Sequence, residues 1–263
     1  MNMLLLSADE LNSESIACLR DHRARHIHRV LHAQPGQILR AGIVNGAPGM
    51  ARVEQTNGDV VYVRFEPHGD ALPVAPVDLL LALPRPKVMK RLWPVLASLG
   101  VHRIMLVNAD KVERFYFDSH VLKPAFYTPL LLEGLSQAMD TKLPVVSIHR
   151  RFKVLVEDEL EALSPDTQRT VADPSATTPM VEAVRRDKGK RILLAIGPEG
   201  GWTAYEREMM VRHGFVEAQA GSRILRADTA CVALITLVYE GVREGAPHVR
   251  SAEWRFGPNR PTL

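Results

Sequence analysis

Two loops and one helix carry the residues whose types and spacing suggest chemistry. The first loop lies in LLAIGPEGGWTAYERE, residues 193–208, where an apolar run stops at a glycine-rich turn and a polar helix follows. Such turns usually cradle anions on backbone N–H groups. A Walker loop needs G-x-x-x-x-G-K-[ST] and a dinucleotide turn needs G-x-G-x-x-G; GPEGGWTA has neither spacing and no lysine. Glu199 at its centre would repel phosphate and tolerate a cationic ligand, ribose hydroxyls or an arginine partner. Thr203 and Glu206, three residues apart, form a capping box for the following helix. Taken alone, GPEGG also reads as a plain strand-to-helix turn.

The second loop, AGSRILRADTA at residues 220–230, lies one strand-helix unit downstream. Gly221 allows close backbone approach, Ile224 and Leu225 offer an apolar wall, and Arg223 and Arg226 supply fixed positive charge. Asp228 or Thr229 is placed to cap the last helix. Both loops fall at carboxyl ends of expected strands, so they can flank one crevice.

The helix is basic. Residues 20–40, RDHRARHIHRVLHAQPGQILR, hold five arginines and four histidines against one aspartate. On a helix Arg25, His28, Arg29 and His32 share a face while Ile27, Val30 and Leu31 turn inward. That stripe suits phosphates without reading sequence, and a solvated basic face is the alternative. His22/His26 and His28/His32 are spaced i, i+4, yet arginines surround them and no carboxylate or cysteine completes a shell, so no metal is expected.

The elements that must position these groups fall into two textures. From 36 to 66, strand-like runs QILRAGIV, MARVEQT and VVYVRFE are joined by the NGAPG and NGD turns. Asn57-Gly58 is a strong hairpin signal because both positions of its turn favour positive φ. Val61, Val63 and Phe65 alternate with Tyr62, Arg64 and Glu66, giving one buried face. A small antiparallel barrel or sheet is expected, followed by a linker at PHGDALPVAP. From 78 onward short apolar runs alternate with helical patterns: DLLLALP, a helix from Pro86 kinked at Pro94 and ended by Gly100, RIMLVN, a helix at 128–139, LPVVSIH, a helix at 152–163 and RTVAD. TPMVEAVRRDK, RILLAIG, a helix at 203–213, FVEAQAG and a helix at 228–242 complete the series. Thr128-Pro129 and Thr178-Pro179 each read as an N-cap before a first-turn proline. Alternation of this kind implies an α/β fold with a mostly parallel sheet covered on both faces.

Composition sets the outer bounds. Charged residues are 24% and apolar ones 46% of the chain, which excludes a disordered or fibrous class. The net charge of +3 permits an anionic partner without requiring one. Cys18 and Cys231 are too few and too far apart for a disulfide framework, MNMLLLS lacks a signal-peptide n-region, and no apolar run is long enough for a membrane span. A cytoplasmic protein with no membrane association is expected.

IGPEGGW, then a helix, a strand, GSRILRADTA and a terminal helix, resembles the RsmE family of 16S rRNA (uracil-N3) methyltransferases in the SPOUT (α/β-knot) superfamily. RHIHRVLHAQPGQILRAG is similar to the family's N-terminal RNA-binding segment. SLGVHRIMLVNADKVER is similar to its first β-α unit, and EGLSQAMDTKLPVV to its middle helix, with Gln137 in place. The resemblance implies a PUA-like β-barrel RNA-binding domain at 1–72, a SPOUT domain with a trefoil knot at 73–250, and a tail at 251–263 without pattern. It implies a homodimer that uses S-adenosyl-L-methionine (SAM) and modifies 16S rRNA or the small ribosomal subunit. The cofactor-binding residues it implies are Ala195, Ile196, Gly197, Gly200, Gly201, Ala220, Gly221, Ile224, Leu225 and Thr229, with a further loop at Ala172 to Ala176. RNA-binding falls to Arg25, His28, Arg29 and His32.

For methyl transfer to uracil N3, Arg226, and behind it Arg223, would stabilise negative charge on the uracil oxygens. Glu199 would orient an arginine or accept a proton. Asp228 at an N-cap would be a weak base. The chain departs from the family around the middle-helix glutamine, with Ser136, Ala138 and Asp140 where Glu, Ser and Arg are frequent, and it has DTA in place of ETA. The missing arginine bears on the nucleotide more than on the cofactor. Another RNA or tRNA nucleotide as target, or a non-catalytic RNA-binding protein, are the alternatives.

Overall fold

The structure is a computed structural model that describes residues 1–57, 59–69, 73–185 and 190–243. Gly58 of the hairpin turn, the middle of the expected linker, the end of the 178–188 helix and the 251–263 tail lie outside the described residues. Among the described residues the chain divides into two compact units, one containing Met1–Pro73 and Leu132–Leu143, the other Val74–Leu131 and residues 144–243.

The first unit is built on a five-stranded sheet in the order β1-β3-β4-β5-β2. Its strands are β1 (Leu4–Leu6), β2 (Ile16–Leu19), β3 (Ile38–Ile43), β4 (Pro48–Asn57) and β5 (Val60–Pro67). All neighbours are antiparallel except β1, which runs parallel to β3, so the expected antiparallel sheet is mixed. Alternation on β5 holds: Val61, Val63 and Phe65 are buried with Leu4, Leu6, Leu19 and Val53 in one apolar cluster. Ala24 and Ile27 close that cluster from α1 (His22–Arg29), whose N-cap Asp21 accepts from Arg23 N–H.

Segment 132–143 is stitched to this sheet by hydrogen bonds. Ser136 Oγ donates to Met3 O at 2.6 Å, Asn2 Nδ2 to Gln137 O at 2.9 Å, and Thr141 Oγ1 to Gly46 O at 2.8 Å. Asp140 Oδ1 accepts from Thr141 and Lys142 N–H. A Cβ on Gly42 would stand 2.5 Å from Thr141 Cγ2, so glycine is what lets this segment close on β3. Ser136 and Asp140 therefore satisfy backbone groups of their own unit.

The second unit is a six-stranded, wholly parallel sheet in the order β11-β9-β10-β6-β7-β8. Its strands are β6 (Val77–Ala82), β7 (Arg103–Val107), β8 (Val145–His149), β9 (Thr167–Ala172), β10 (Arg191–Ile196) and β11 (Phe215–Ala218). Strands β6 and β10 are buried almost end to end, as parallel strands covered on both faces must be. Asp78, the buried charge on β6, accepts from Ser164 Oγ at 2.6 Å and pairs with His102 Nδ1 at 2.8 Å. This cluster sits at the amino ends of the strands, away from the loops of interest.

The helices are α2 (Pro86–Ser98), α3 (Pro124–Ala138), α4 (Phe152–Val154), α5 (Leu160–Leu163), α6 (Met180–Val184), α7 (Ala204–Arg212) and α8 (Ala227–Arg243). Pro86 opens α2, Pro94 lies within it and Gly100 follows its end at φ +71°. A π-helical turn, Leu155–Glu159, separates α4 from α5. Two N-cap expectations fail. Helix α3 starts at Pro124, so Pro129 is internal; Tyr127 stacks on Trp93 at 4.7 Å and rewards the extra turn. Helix α6 is capped by Pro179, because Thr178 is engaged instead through its carbonyl with Gln219 N–H. Among the described residues no helix is long and apolar enough to cross a membrane.

Candidate active site

A cavity of about 280 Å³ opens at the carboxyl ends of β9, β10 and β11, and three loops line it. Small-molecule sites usually run from roughly 300 to 1,000 Å³, so this one is compact. The first loop leaves β9 at Asp173. Its Oδ1 accepts from Ser175 N–H and Oγ, each at 2.7 Å, and its Oδ2 from Arg207 Nη1 at 2.7 Å. Burial works to raise the Asp173 carboxyl, but Ser175 and the Arg207 guanidinium outweigh it and hold it below the ordinary 3.8.

The second loop is Gly197–Trp202. Gly201 N–H donates back to Pro198 O at 2.8 Å with φ +70°, a conformation that glycine adopts at no steric cost. Trp202 is only 7% exposed and lies across Gly197, whose added Cβ would be 3.1 Å from the indole. Its Nε1–H is buried without a hydrogen-bond partner among the described residues. A buried orphan donor beside a cavity is a group a ligand acceptor would satisfy.

Helix α7 then begins, and the expected capping box is present. Glu206 Oε2 accepts from Thr203 N–H at 2.8 Å, and Thr203 Oγ1 accepts from Glu206 N–H at 3.3 Å. Glu206 is buried, and its Oε1 also accepts from Asp110 N–H at 2.8 Å, tying the loop after β7 to α7. Lys111 Nζ, from that same loop, donates to Gly200 O at 2.7 Å.

The third loop, Gln219–Leu225, holds Gly221 at φ +122°, with its N–H on Gln219 Oε1. Ile224 is 85% exposed.

Of the residues singled out in the sequence, the cavity gathers Glu199, Arg223, Ile196, Gly197, Gly201, Ala220, Gly221, Ile224 and Leu225. Four stand outside its wall. Ala195 is fully buried within β10, and Gly200 is turned toward Lys111. Arg226, exposed, immediately precedes α8, and Thr229 is exposed in its first turn. Asp228 is not the cap: it lies inside α8, accepting from Thr229 N–H and pairing with Arg91 at 2.9 Å. Burial favours a raised carboxyl there, but those two partners prevail and the Asp228 pKa is lowered. Weak basicity thus holds for a different reason.

Sequence reasoning did not single out Asp173, Arg207 or Trp202. Asp173 had a signal, an acidic residue at the carboxyl end of the strand RTVAD; Arg207 had none, since its partner is 34 residues away.

The basic stripe needs correction. Arg25, His28, Arg29 and His32 are all exposed, but α1 ends at Arg29 and His32 lies beyond it at φ +47°. Val30 caps the helix and is 62% exposed, and Leu31 is exposed too; only Ile27 of the expected inner face is buried. The early stop follows from Val30 and Leu31 N–H both donating to His26 O. Arg29 pairs with Asp59 at 3.0 Å on the surface. Among the described residues no group of three or more His, Cys, Asp or Glu gathers as metal ligands would.

Residues 70–239 match the family described as RNA methyltransferase domain. The ribosomal RNA small subunit methyltransferase E of Treponema pallidum is 32% identical over 242 residues, covering 90% of this chain and 90% of the relative. The ribosomal RNA small subunit methyltransferase E 1 of Borreliella burgdorferi is 22% identical over 240 residues, 89% of this chain and 95% of that one. The ribosomal RNA small subunit methyltransferase E of Neisseria gonorrhoeae, solved bound to S-adenosyl methionine, shares the fold with a TM-score of 0.70. It has 19% identity over 91% of this chain and 96% of that one. A protein of Legionella pneumophila, solved in complex with bound SAM, shares it with a TM-score of 0.71 at 18% identity, covering 91% of this chain and 97% of that one. By sequence, then, this chain belongs to the ribosomal RNA small subunit methyltransferase E family of RNA methyltransferases.

Proposed function

We propose that the protein methylates N3 of a uridine in 16S rRNA with SAM as methyl donor. The observation that carries the reading is the cavity built by the loops after β9, β10 and β11, whose wall has backbone, apolar side chains, the carboxylates of Asp173 and Glu199 and the guanidiniums of Arg207 and Arg223, but no lysine among the described residues. A sulfonium without phosphate fits such a wall: Arg207 neutralises Asp173, Glu199 is compatible with cationic charge, and the Trp202 indole N–H lacks an acceptor among the described residues. Ile196, Gly197, Gly201, Ala220, Gly221 and Leu225 would hold SAM largely by backbone and apolar contact. Bound there, it supplies an electrophilic methyl group.

The chain's own residues do the rest. Holding the uracil ring in line with the methyl group is the main contribution, since orientation alone removes much of a displacement barrier. N3 must lose its proton, and negative charge then spreads to the ring oxygens. Arg223, in the cavity wall, stabilises that charge as an oxyanion donor; exposed Arg226 is the second candidate, reached from the α8 side. Glu199 lines the cavity and forms no ion pair among the described residues, which leaves it free to take the proton or to orient Arg223. The uridine must leave its stack to enter, a cost met more easily in a partly assembled subunit.

The same reading takes residues 1–72 as a PUA-like barrel, with Arg25, His28, Arg29 and His32 engaging phosphates. It takes 73–250 as a SPOUT domain whose carboxyl-terminal chain threads a trefoil knot. The enzyme works in the cytoplasm as a homodimer, a second copy covering exposed Ile224 and Val232.

The test is calorimetric titration with SAM of the wild type and of Gly201→Trp, followed by mapping of methyl groups on 16S rRNA. Micromolar binding abolished in the variant, and a methyl group at one uridine N3, is the expected result. Methylation of another nucleotide would move the substrate assignment, and absence of SAM binding would leave an RNA-binding protein. Arg223→Ala and Arg226→Ala are expected to retain SAM affinity; whichever keeps wild-type turnover has no part in charge stabilisation.

A further inference from the structure

A second cleft, of about 520 Å³, lies in the same unit at the carboxyl ends of β7 and β8. Among its lining residues are Asn108, Arg114, Arg150, Phe152, Lys153 and Tyr205. We infer that this cleft is a docking site for single-stranded RNA, holding a nucleotide that neighbours the one methylated. The inference rests on the proposed rRNA substrate.

Four observations support it. Three cations converge on the cleft. Arg114 forms no ion pair among the described residues, Lys153 pairs with exposed Glu157 at 3.7 Å, and Arg150 pairs with exposed Asp118 at 3.0 Å while Phe117, through its carbonyl at 3.1 Å and its ring, steadies the guanidinium. Exposed pairs of this kind contribute little and exchange readily for phosphate oxygens. Asp110 and Glu206 also line the cleft, but Glu206 is already committed to the Asp110 and Thr203 donors.

Tyr205 is 54% exposed at the rim, and a tyrosine ring left in water beside cations is a stacking platform for a base. Asn108 Oδ1 is a buried acceptor with no partner among the described residues, so a base N–H or amino group reaching the floor would satisfy it. The last observation is position. Phe152 of this cleft and Trp202 of the SAM cavity touch ring to ring, 5.6 Å between centroids, and Thr203 follows Trp202 directly into the cleft wall. One layer of aromatic side chains separates the two spaces. An RNA strand crossing that layer can keep the target nucleotide beside SAM at the mouth of the cavity and its neighbour in this cleft.

The experiment uses the full-length enzyme, unmethylated 16S rRNA transcript for kinetics, and labelled oligouridylate for binding across a salt series. Arg114→Glu with Lys153→Glu is expected to raise the RNA KM and the oligouridylate Kd by about tenfold or more. SAM affinity and kcat should stay within about twofold, and the salt slope should fall by about one for each phosphate that is no longer neutralised. The neutral pair Arg114→Gln with Lys153→Gln gives the same direction if charge reversal harms folding. Tyr205→Ala weakens oligouridylate binding with the salt slope unchanged. Arg212→Glu, a single charge reversal at the far end of α7 and half the charge change of the pair, is the control. RNA binding and KM unchanged in the charge-reversed protein, or changed no more than in Arg212→Glu, would overturn the cleft while leaving methylation intact. Wild-type binding of oligouridylate through these residues without methyl transfer to 16S rRNA would sink the substrate assignment and keep the cleft.

Discussion

Replacing Glu206 by alanine tests the claim that one buried carboxylate assembles both sides of the site. Glu206 accepts from Asp110 N–H, Thr203 N–H and Thr203 Oγ1 at 2.8 to 3.0 Å. Hydrogen bonds to charged groups contribute about 1.5–3 kcal/mol each when the partner is left buried. Thr203 is only partly buried and Asp110 is exposed, so both recover some hydration in the variant. The capping-box loss adds about 1 kcal/mol. The expected destabilisation is therefore about 2–4 kcal/mol, below the simple sum because of that hydration. Glu206→Gln keeps the volume and one acceptor oxygen and should cost roughly half as much. Urea unfolding followed by circular dichroism reads this as a lower midpoint at unchanged slope. A second readout separates local from global effect: SAM affinity should fall in Glu206→Ala under conditions where the variant is still folded, because the GPEGGW turn loses its anchor to the β7 loop. A loss of stability under about 1 kcal/mol would mean that water replaces the carboxylate and that the bridge is ornamental.

Two further outcomes follow from ionisable groups. In the first unit Arg23 lowers the Glu10 carboxyl through its hydrogen bond, and holds Asp21 down against the opposing effect of burial. Both folded values lie below the ordinary 4.5 and 3.8, so this stabilisation is full above that range and is lost as pH falls through the folded values. Unfolding free energy should drop steeply below about pH 4, and Arg23→Gln should flatten the drop; an identical pH profile in the variant would remove this network from acid unfolding. Burial, with Asp228 nearby, pushes the Cys231 thiol up to about 12, while Cys18 is exposed. Iodoacetamide at neutral pH should therefore add one group to the native protein, at Cys18, and a second only after unfolding, read by peptide mass spectrometry; native labelling of Cys231 would show that α8 opens.

Legibility in the sequence followed the range of the interaction. The β-α alternation, the Thr203–Glu206 capping box and the burial of Val61, Val63 and Phe65 are each decided within a few residues, and each is readable there. So is the placement of two loops at strand ends, which brings Glu199, Arg223 and Gly221 into one cavity wall. Strand β1 escapes sequence reasoning because LLL has no alternation and pairs with β3 only in three dimensions. Helix α1 reads one turn too long in the sequence because the apolar period continues through Val30 and Leu31, whereas the chain closes on His26 O and leaves both in water.

What no local pattern discloses is the cross-linking of loops far apart in the chain. Lys111 meets Gly200 across 89 residues and Asp110 meets Glu206 across 96. These hydrogen bonds attach the loop after β7 to the turn before α7. The consequence concerns Glu206 itself. In sequence it is the reciprocal half of a helix cap, a role any glutamate or glutamine fills. In the fold its second oxygen serves Asp110, and a glutamine cannot accept on both sides at once. The cap alone predicts little difference between Glu206→Gln and wild type; the bridge predicts a measurable one. That comparison separates a residue kept for its helix from one kept for the site.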